Sequence, residues 1–454
     1  MQIIESLHLL KDQENFIAFH SPSYSIIDLS PDVYQVLSLA SVGYTEKEIA
    51  YRLDIPEYDI HNLFNNLNQK LNSITIPNIL KDRDDIGNIY RITLHIANDC
   101  NLRCKYCYAT GGNYNLKRGL MSYATADSFI SFCTKTFKTI ENIVFFGGEP
   151  LLNYEIIDYI CNQFKILYSQ SKVQKIPTFG IITNGTLMNK KILEILNKHI
   201  SFITVSIDGP QIINDANRVF PNGKGSYKKI ISFIKTIREC TNISIKYEST
   251  YTDIHIKNGF THDDIYSYFY SLGLEGIVTD DINLKKAIDI PKKTTFVSEF
   301  SNLNLPEGFW SVLAVIAYKQ PKQICQVFRK IFAVSTIGDI YACHMDNGNK
   351  HARLGDIFSE NIFNTPKMYL AKHPLFSNLT NKDKLCGNCW AKNICAGCTR
   401  KWFFDEKEGK YSSTPHTDLC SINKEHLDKI ILMIAKIRKD NNLWNSMLNV
   451  IYKN

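Results

Sequence analysis

Six stretches rich in apolar residues, 89–97, 142–147, 178–183, 202–207, 243–251 and 276–281, recur between longer segments with helical spacing. Strand-length runs alternating with helix-length segments predict βα units and a parallel sheet. The first run, Ile89 to Ile96, alternates along the chain and stops at Asn98-Asp99, a strand-to-loop signal. Upstream the pattern differs. Asn15–His20 and Tyr24–Leu29 read as two short strands flanking the turn Ser21-Pro22-Ser23. Ser30-Pro31 then opens a helix, because Ser is a good N-cap and Pro suits the first helical position. Val33, Val36, Leu37 and Leu39 give that helix its apolar face. Thr45, with Glu48 three residues on, predicts a capping box and a second helix. A third follows Pro56, with Ile60, Leu63, Phe64 and Leu67 at helical spacing. Pro77 and the charged run Lys81–Asp85 mark a linker. Farther on, Phe332–Tyr341 predicts a hairpin. The tail after Cys420 predicts a helix that buries Leu427, Ile430, Ile431, Ile434 and Ile437, with Lys429, Lys436 and Lys439 away from that face.

The chain has 454 residues, 44% of them apolar, which suits two to four globular domains. No apolar run has the length of a membrane span, and the start lacks a basic-then-apolar signal pattern, so a cytoplasmic protein with no membrane partner is expected. Thirteen cysteines in that compartment argue for metal or redox chemistry rather than disulfides. The net charge of +7 is unevenly spread: residues 1–79 hold four Lys/Arg and ten Asp/Glu, a net of −6, and the remainder carries +13. Two strands and three short helices suggest a winged helix-turn-helix for residues 1–80. DNA binding by such a domain rests on Lys and Arg contacts to phosphates, and the acidic balance speaks against nucleic acid.

The first strand is followed by Cys100, Cys104 and Cys107, at spacing C-x3-C-x2-C. Three thiolates on one loop can share a metal centre. A four-iron cluster takes one ligand per iron, so three cysteines leave one iron open to a ligand that is not protein. A structural zinc loop is the competing reading, but zinc wants a fourth nearby ligand that this loop lacks. With Tyr106 before the last cysteine, the motif resembles that of the radical S-adenosylmethionine (SAM) enzymes. The resemblance implies that SAM chelates the open iron, that an electron breaks its sulfonium bond, and that a 5′-deoxyadenosyl radical takes hydrogen from the substrate. It also implies an α/β fold: a partial (β/α)6 TIM-like barrel with active groups at the C-terminal strand ends.

Further motifs follow the later strands. Gly147-Gly148-Glu149-Pro150 comes after the second; two glycines allow close backbone approach to a ligand and Glu149 brings negative charge. In the resembled family this motif contacts the SAM amino group. Thr183-Asn184-Gly185-Thr186 follows the third strand, and Ser206-Ile207-Asp208-Gly209-Pro210 with Asn217-Arg218 follows the fourth. By resemblance Asn184, Ser206 and Arg218, together with Tyr106, are candidate SAM contacts; an Arg binds a carboxylate bidentately. Asn-Gly and Asp-Gly are also ordinary turn formers. Cys133, Cys161 and Cys240 lie in apolar helical stretches and are expected to be small buried residues.

Seven more cysteines fall between 325 and 420: Cys325, Cys343, Cys386, Cys389, Cys395, Cys398 and Cys420. Two zinc sites would want eight ligands. The set resembles the SPASM extension of radical SAM enzymes, which holds two auxiliary iron–sulfur clusters. That resemblance assigns Cys386, Cys389, Cys395 and Cys420 to an outer cluster and Cys325, Cys343 and Cys398 to an inner one, for three [4Fe-4S] clusters in all. The family pattern has three residues between its last close pair, whereas Cys395 and Cys398 have two between them. No cysteine lies between Thr241 and Ile324, so the inner cluster is expected to be one thiolate short, and a substrate cysteine is expected to fill the place.

The acidic N-terminal segment is similar to the peptide-recognition element of enzymes that modify ribosomally made peptides, where a leader peptide adds a strand to the wing. The expected organisation is therefore a leader-recognition domain at 1–80, a radical SAM barrel at 81–295, a SPASM domain at 296–425 and a C-terminal helix at 426–454. The expected activity is thioether crosslinking of a ribosomal precursor peptide, as in the sactipeptide and ranthipeptide maturases, with a flavodoxin or ferredoxin as reductant. Formylglycine-type oxidation or carbon–carbon crosslinking is the alternative within the family. A zinc-dependent helix-turn-helix regulator is the alternative outside it.

Overall fold

The computed structural model describes residues 6–13, 15–73, 87–281, 300, 303, 305–306, 308–319, 330–359, 389–395, 399–405, 407–412 and 417–453. The six strands that alternation predicts all form, with ends shifted by at most three residues: β4 Asn88–Ala97, β5 Thr139–Gly147, β6 Thr178–Thr183, β7 Ile200–Ser206, β8 Ser244–Tyr251 and β9 Glu275–Asp280. They pair in that order and in parallel. The connections are α4 Tyr123–Thr136, α5 Tyr154–Ser169, α6 Lys190–His199, α7 Gln211–Asn217 with α8 Tyr227–Cys240, and α9 Asp253–Lys257 with α10 His262–Ser271.

Alternate strand residues face the helices and make the core. Ile92, Leu94, Ile96, Ile143, Phe145, Ile181, Ile203, Val205, Tyr247 and Tyr251 pack there with Phe129, Ile157, Ile160, Phe164, Phe233 and Phe269. Burying each such side chain contributes about 1.5–3 kcal/mol, which is what anchors the helices to the sheet. The residues between them face inward: Arg91, Thr93 and His95 on β4, Phe202, Thr204 and Ser206 on β7, Lys246, Glu248 and Thr250 on β8. A side chain in place of Gly180 would sit 2.1 Å from the Phe202 ring, so the ring lies over a position that glycine leaves open.

The predicted hairpin forms as β10 Ile331–Val334 and β11 Asp339–Tyr341, and it does not stand apart from the barrel strands. β10 pairs in parallel with β4, and β12 Arg353–Asp356 pairs with β11, giving a nine-stranded sheet in the order β12-β11-β10-β4-β5-β6-β7-β8-β9.

Residues 7–73 form three strands, β1 Leu7–Lys11, β2 Phe16–His20 and β3 Ser25–Asp28, then α1 Pro31–Ser41, α2 Glu46–Leu53 and α3 Glu57–Ser73. β1 adds a strand to the two expected from sequence. The caps are as read: Ser30 accepts from Val33 N at 3.3 Å, and Thr45 and Glu48 make the reciprocal capping box. Leu10, Ile17, Phe19 and Tyr24 share a core with α11 Phe309–Tyr318, with Ala391 and Ile394, and with Leu427, Ile430, Ile431 and Ile434. The His8 ring stacks on Trp390 at 3.7 Å and its Nε2 lies 2.8 Å from Asp428 Oδ1. Arg438 donates to Ile26 O at 2.5 Å and pairs with Asp28.

Two expectations are corrected. The tail is two helices, not one: α13 Thr417–Ile437 and α14 Asn441–Lys453, preceded by the short α12 Thr399–Phe403. The break falls at residues 438–440, where the Asp440 carboxylate accepts from Asn442 N at 3.0 Å and Leu443 N at 3.1 Å and starts a new helix. Cys133 and Cys161 are buried, but Cys240 is exposed, because it closes α8 beyond the buried stripe Ile230–Ile237. Among the described residues no helix is long and apolar enough to cross a membrane.

His95 is enclosed by Tyr114 and Phe146, with ring centroids at 5.1 and 5.2 Å, and its Nδ1 lies 3.2 Å from Asn347 Nδ2. Burial, reinforced by the charge of His344, pushes its pKa down to about 3. The folded chain therefore resists protonating His95 while the unfolded chain takes the proton near pH 6.5. Stability from this group is complete above about pH 6.5 and falls as the pH drops toward 3, by about 2 kcal/mol at pH 5. Urea unfolding of the His95→Gln variant at pH 7 and pH 5 should show a pH dependence smaller by that amount. An unchanged dependence would mean that His95 titrates alike in both states.

Candidate functional site

The three-cysteine loop leaves β4 at its C-terminal end. Asp99 Oδ1 accepts from Cys100 N at 2.8 Å, and Arg103 Nη1 curls back to the carbonyls of Cys100 and Leu102, both at 2.7 Å. Leu102 is buried and pins the loop. Two backbone bonds strap it to the segment after α7: Arg103 N to Val219 O at 2.7 Å and Lys105 N to Asn217 O at 3.0 Å. None of the three cysteines is in a disulfide. Burial pushes the Cys100 thiol up to about 12, with the charge of Glu149 adding to it. It pushes Cys104 up to about 11, with Arg218 pulling the other way. Without a metal these thiols hold their protons; a metal that binds them must displace those protons.

Among the described residues no three His, Cys, Asp or Glu side chains converge tightly enough for a single ion. A mononuclear zinc draws its sulfurs to about 2.3 Å, whereas a cluster that takes one thiolate per iron spreads them wider. Three free thiols on one loop, with the Asn184 amide N–H on one of them, suit a cluster that takes one thiolate per iron.

Gly147 and Gly148 bring β5 against β4. Gly148 N donates to Ala97 O and Glu149 N to Asp99 O, both at 2.8 Å. A Cβ on Gly147, whose φ is +141°, would lie 2.3 Å from Ala97 O, and one on Gly148 would lie 2.2 Å from Asp99 O. Gly112 (φ +89°) completes the contact: its Cβ would meet Cys100 Cβ at 2.6 Å and Gly148 Cα at 2.7 Å. These glycines serve chain-to-chain packing around the cysteine loop, a use the sequence reading did not give them. The negative charge of Glu149 is also turned inward. The carboxylate is fully buried and accepts from Leu151 N at 3.0 Å, Thr183 Oγ1 at 2.7 Å and Asn184 N at 2.8 Å. Pro150 starts a short 3-10 turn, Pro150–Asn153, directly behind it.

Asn184 reaches the cysteine loop itself. Its Nδ2 lies 3.6 Å from Cys100 Sγ and 2.9 Å from Asn101 Oδ1, while its Oδ1 accepts from Thr186 Oγ1 at 2.6 Å. Tyr106 donates to Asp208 Oδ1 at 2.8 Å and accepts from Arg218 Nη1 at 2.5 Å; Arg218 lies 3.8 Å from Asp208. Thr250 N reaches Asp208 Oδ1 at 3.3 Å, and His255 Nε2 lies 2.8 Å from its carbonyl. Asp208 Oδ2 and Arg218 Nε are buried without a hydrogen-bond partner, an acceptor and a donor beside the cysteine loop. Burial raises Asp208 to about 6, against the pull of Arg218 and Tyr106. Ser206 ends β7 on the inner face, in register with Glu248 of β8. The structure thus brings Tyr106, Asn184 and Arg218 to the cysteines, with Tyr106 as a brace. Asp208 is the group that sequence reasoning passed over: its Asp-Gly step reads as a turn, and its partner is 102 residues away.

Of the C-terminal cysteines, Cys325, Cys386 and Cys398 lie outside the described residues. Cys343 is buried and follows β11. Its turn is tied across to the segment after Cys398: Arg400 Nε lies 3.1 Å from Asp346 Oδ1 and Tyr411 OH 2.7 Å from Asp346 Oδ2. Cys389, Cys395 and Cys420 are half-buried. Asn423 Nδ2 reaches Cys395 Sγ at 3.3 Å from the same helix, α13, that carries Cys420.

A parallel βα sheet with a three-thiol loop at the C-terminal end of its first strand has the layout of a βα-barrel enzyme, whose active groups gather at that end. The model of the radical SAM superfamily matches residues 94–267, from β4 to α10. An uncharacterized protein of Methanocaldococcus jannaschii is 30% identical over 62% of the chain and 94% of its own length. The chain belongs to the radical SAM superfamily, whose members use a [4Fe-4S] cluster and SAM. The radical SAM cyclopropyl synthase TigE of Paramaledivibacter caminithermalis is 24% identical over 93% of both chains. The antilisterial bacteriocin subtilosin biosynthesis protein AlbA of Bacillus subtilis is 27% identical over 75% of this chain and 73% of its own. In fold, the chain is similar to native anSMEcpe with bound AdoMet, at a TM-score of 0.57 and 17% identity, over 79% of this chain and 100% of that one.

Proposed function

We propose that this protein is a radical SAM peptide maturase that joins a cysteine sulfur to a carbon of another residue in a ribosomally made precursor. The observation that carries the reading is the thiolate count: three on the barrel loop and, by resemblance, three again in the inner C-terminal set. The similarity to AlbA, a bacteriocin biosynthesis protein, supports a peptide substrate.

Cys100, Cys104 and Cys107 would hold the SAM-binding cluster. Bound there with SAM, it supplies hydrogen-atom abstraction at an unactivated carbon. Asn184 directs its N–H at Cys100 Sγ, and such hydrogen bonds help set a cluster's potential. Arg218 and Asp208, with one unspent donor and one unspent acceptor, orient the polar end of SAM, and Tyr106 keeps the two apart at fixed distance. Ser206 offers its hydroxyl from the inner face. Cys325, Cys343 and Cys398 would hold the inner auxiliary cluster, open to a substrate thiol; Cys386, Cys389, Cys395 and Cys420 would hold the outer one. Residues 1–80 bind the leader as an added strand, residues 81–295 form the catalytic barrel and 296–425 the SPASM domain. A flavodoxin or ferredoxin serves as reductant.

Carbon–carbon closure is the second reading, favoured by the match to a cyclopropyl synthase along nearly the whole chain. The test uses the reconstituted full-length protein, SAM, dithionite and synthetic peptides for the short cysteine-containing reading frames beside the gene. A peptide that loses two hydrogens and whose cysteine no longer reacts with iodoacetamide supports the thioether. The same loss with the thiol still reactive establishes the second reading and sinks the first.

A further inference from the structure

Glu248 lies on the inner face of β8, where no sequence motif pointed. Its neighbours Tyr247 and Tyr251 face the other way, stacked on Phe269 and on His255 and His262. Its register partner on β7 is Ser206, the last residue of that strand. Three other elements face the carboxylate. Arg218 comes from beyond α7 and Arg91 from β4, and the charges of both act on Glu248. The hydroxyl of Tyr108, next to Cys107, feels the charges of Cys343, Cys107 and Glu248 together. β4 and β8 are four strands apart, about 19 Å across a flat sheet, so the curl of the sheet is what brings these groups around one chamber. Glu248 therefore lies on the inner face of the barrel. Its carbonyl accepts from Ile207 N at 3.1 Å, and it stands two residues before Thr250, whose N meets Asp208 beside the cysteine loop. Yet its side chain makes no hydrogen bond or ion pair within the described structure. The neighbouring Glu149 is bonded through both of its oxygens, and Asp208 is held through Oδ1 by Tyr106 and Thr250 and keeps its unbonded Oδ2 for the proposed SAM contact. Tyr108 keeps 38% of its surface open, so this end of the inner face borders solvent.

The proposed reaction leaves a proton to dispose of there. Hydrogen abstraction leaves a carbon radical on the peptide. The C–S bond forms at the expense of the thiol's S–H bond, which breaks either as the sulfur takes its place on the open iron or as the radical reaches it. One electron passes to a one-electron acceptor of iron–sulfur type, and one proton must go to a base. We propose that the Glu248 carboxylate takes that proton. Carbon–carbon closure releases a proton in the same way, so the inference rests on the peptide-maturase reading but not on which bond is formed. A carboxylate without a hydrogen-bond partner among the described residues, on the inner face of the barrel with two arginine charges acting on it, is suited to accept a proton and pass it on to solvent.

The test compares Glu248→Gln and Glu248→Asp with the wild-type holoenzyme, using the peptide that the wild type closes. The Gln variant keeps the shape and removes the basicity. It should bind SAM as the wild type does and form deoxyadenosine within about twofold of it. Closed peptide should fall by about a hundredfold or more, the usual loss with a general base. The Asp variant should recover part of that loss. Closure by the Gln variant at the wild-type rate would overturn the proposal. So would loss of SAM binding and deoxyadenosine together with product, which would make Glu248 part of the cofactor site or of the fold. If the wild type closes no peptide, it is the maturase reading that fails.

Discussion

Alanine at any one of Cys100, Cys104 or Cys107 should abolish SAM cleavage, with deoxyadenosine falling at least about a thousandfold. Each thiolate serves one iron, and a four-iron cluster already left with one open iron has no ligand to spare. The loop has no replacement at hand: Cys133 and Cys161 are free thiols but sealed in the helix layer. On the proposed count of three clusters, the same variants should lose roughly a third of the reconstituted iron, the two auxiliary sets filling independently of the barrel loop. Chromatography of deoxyadenosine and iron analysis read the two effects separately. A variant that still cleaves SAM would refute the assignment of the loop. Complete loss of iron would show that the barrel cluster is the only one.

Glu149→Ala should be the most damaging change outside the cysteines. It strands three buried donors, Leu151 N, Thr183 Oγ1 and Asn184 N, at about 1–3 kcal/mol each. A loss of about 3–5 kcal/mol in unfolding free energy is expected after relaxation. Glu149→Gln keeps an oxygen for two of those donors and turns an amide N–H toward the third, so it should fall between the two. The damage extends to the site, because Asn184, which directs an N–H at Cys100, is held at its backbone by Glu149. Cluster loading should therefore drop in step with stability. Urea unfolding and the cluster's visible absorption check both. A Glu149→Ala protein as stable as the wild type would show that water replaces the carboxylate.

Short-range physics was legible in advance. The strands of the barrel and the capping box at Thr45 depend on periodicity and on partners a few residues away, and both appear where the spacing puts them. Features that depend on partners far along the chain were not legible. The Asp208–Tyr106–Arg218 group joins residues 102 and 112 positions apart, and each of its members reads locally as a turn or a loop. The inward turn of Glu149 is a product of β5 and β6 lying side by side. β1 is five residues whose following turn, closed by Asp12 and Asn15, holds no Gly or Pro, and its pairing with β2 makes it a strand. The split between α13 and α14 carries no Pro or Gly; the Asp440 cap decides it.

The contacts of His8, Ile26 and Asp28 with Trp390, Asp428 and Arg438 have a practical consequence. The two termini of the chain are clasped together, and the first strands cover apolar side chains of the last helices. Replacing the first strands and helices with those of another protein would meet this clasp directly. In this protein such a graft would uncover Trp390 and the buried stripe of α13. A chimaera that imports a foreign front end should carry the matching α13 face with it, or remodel that face to receive the newcomer.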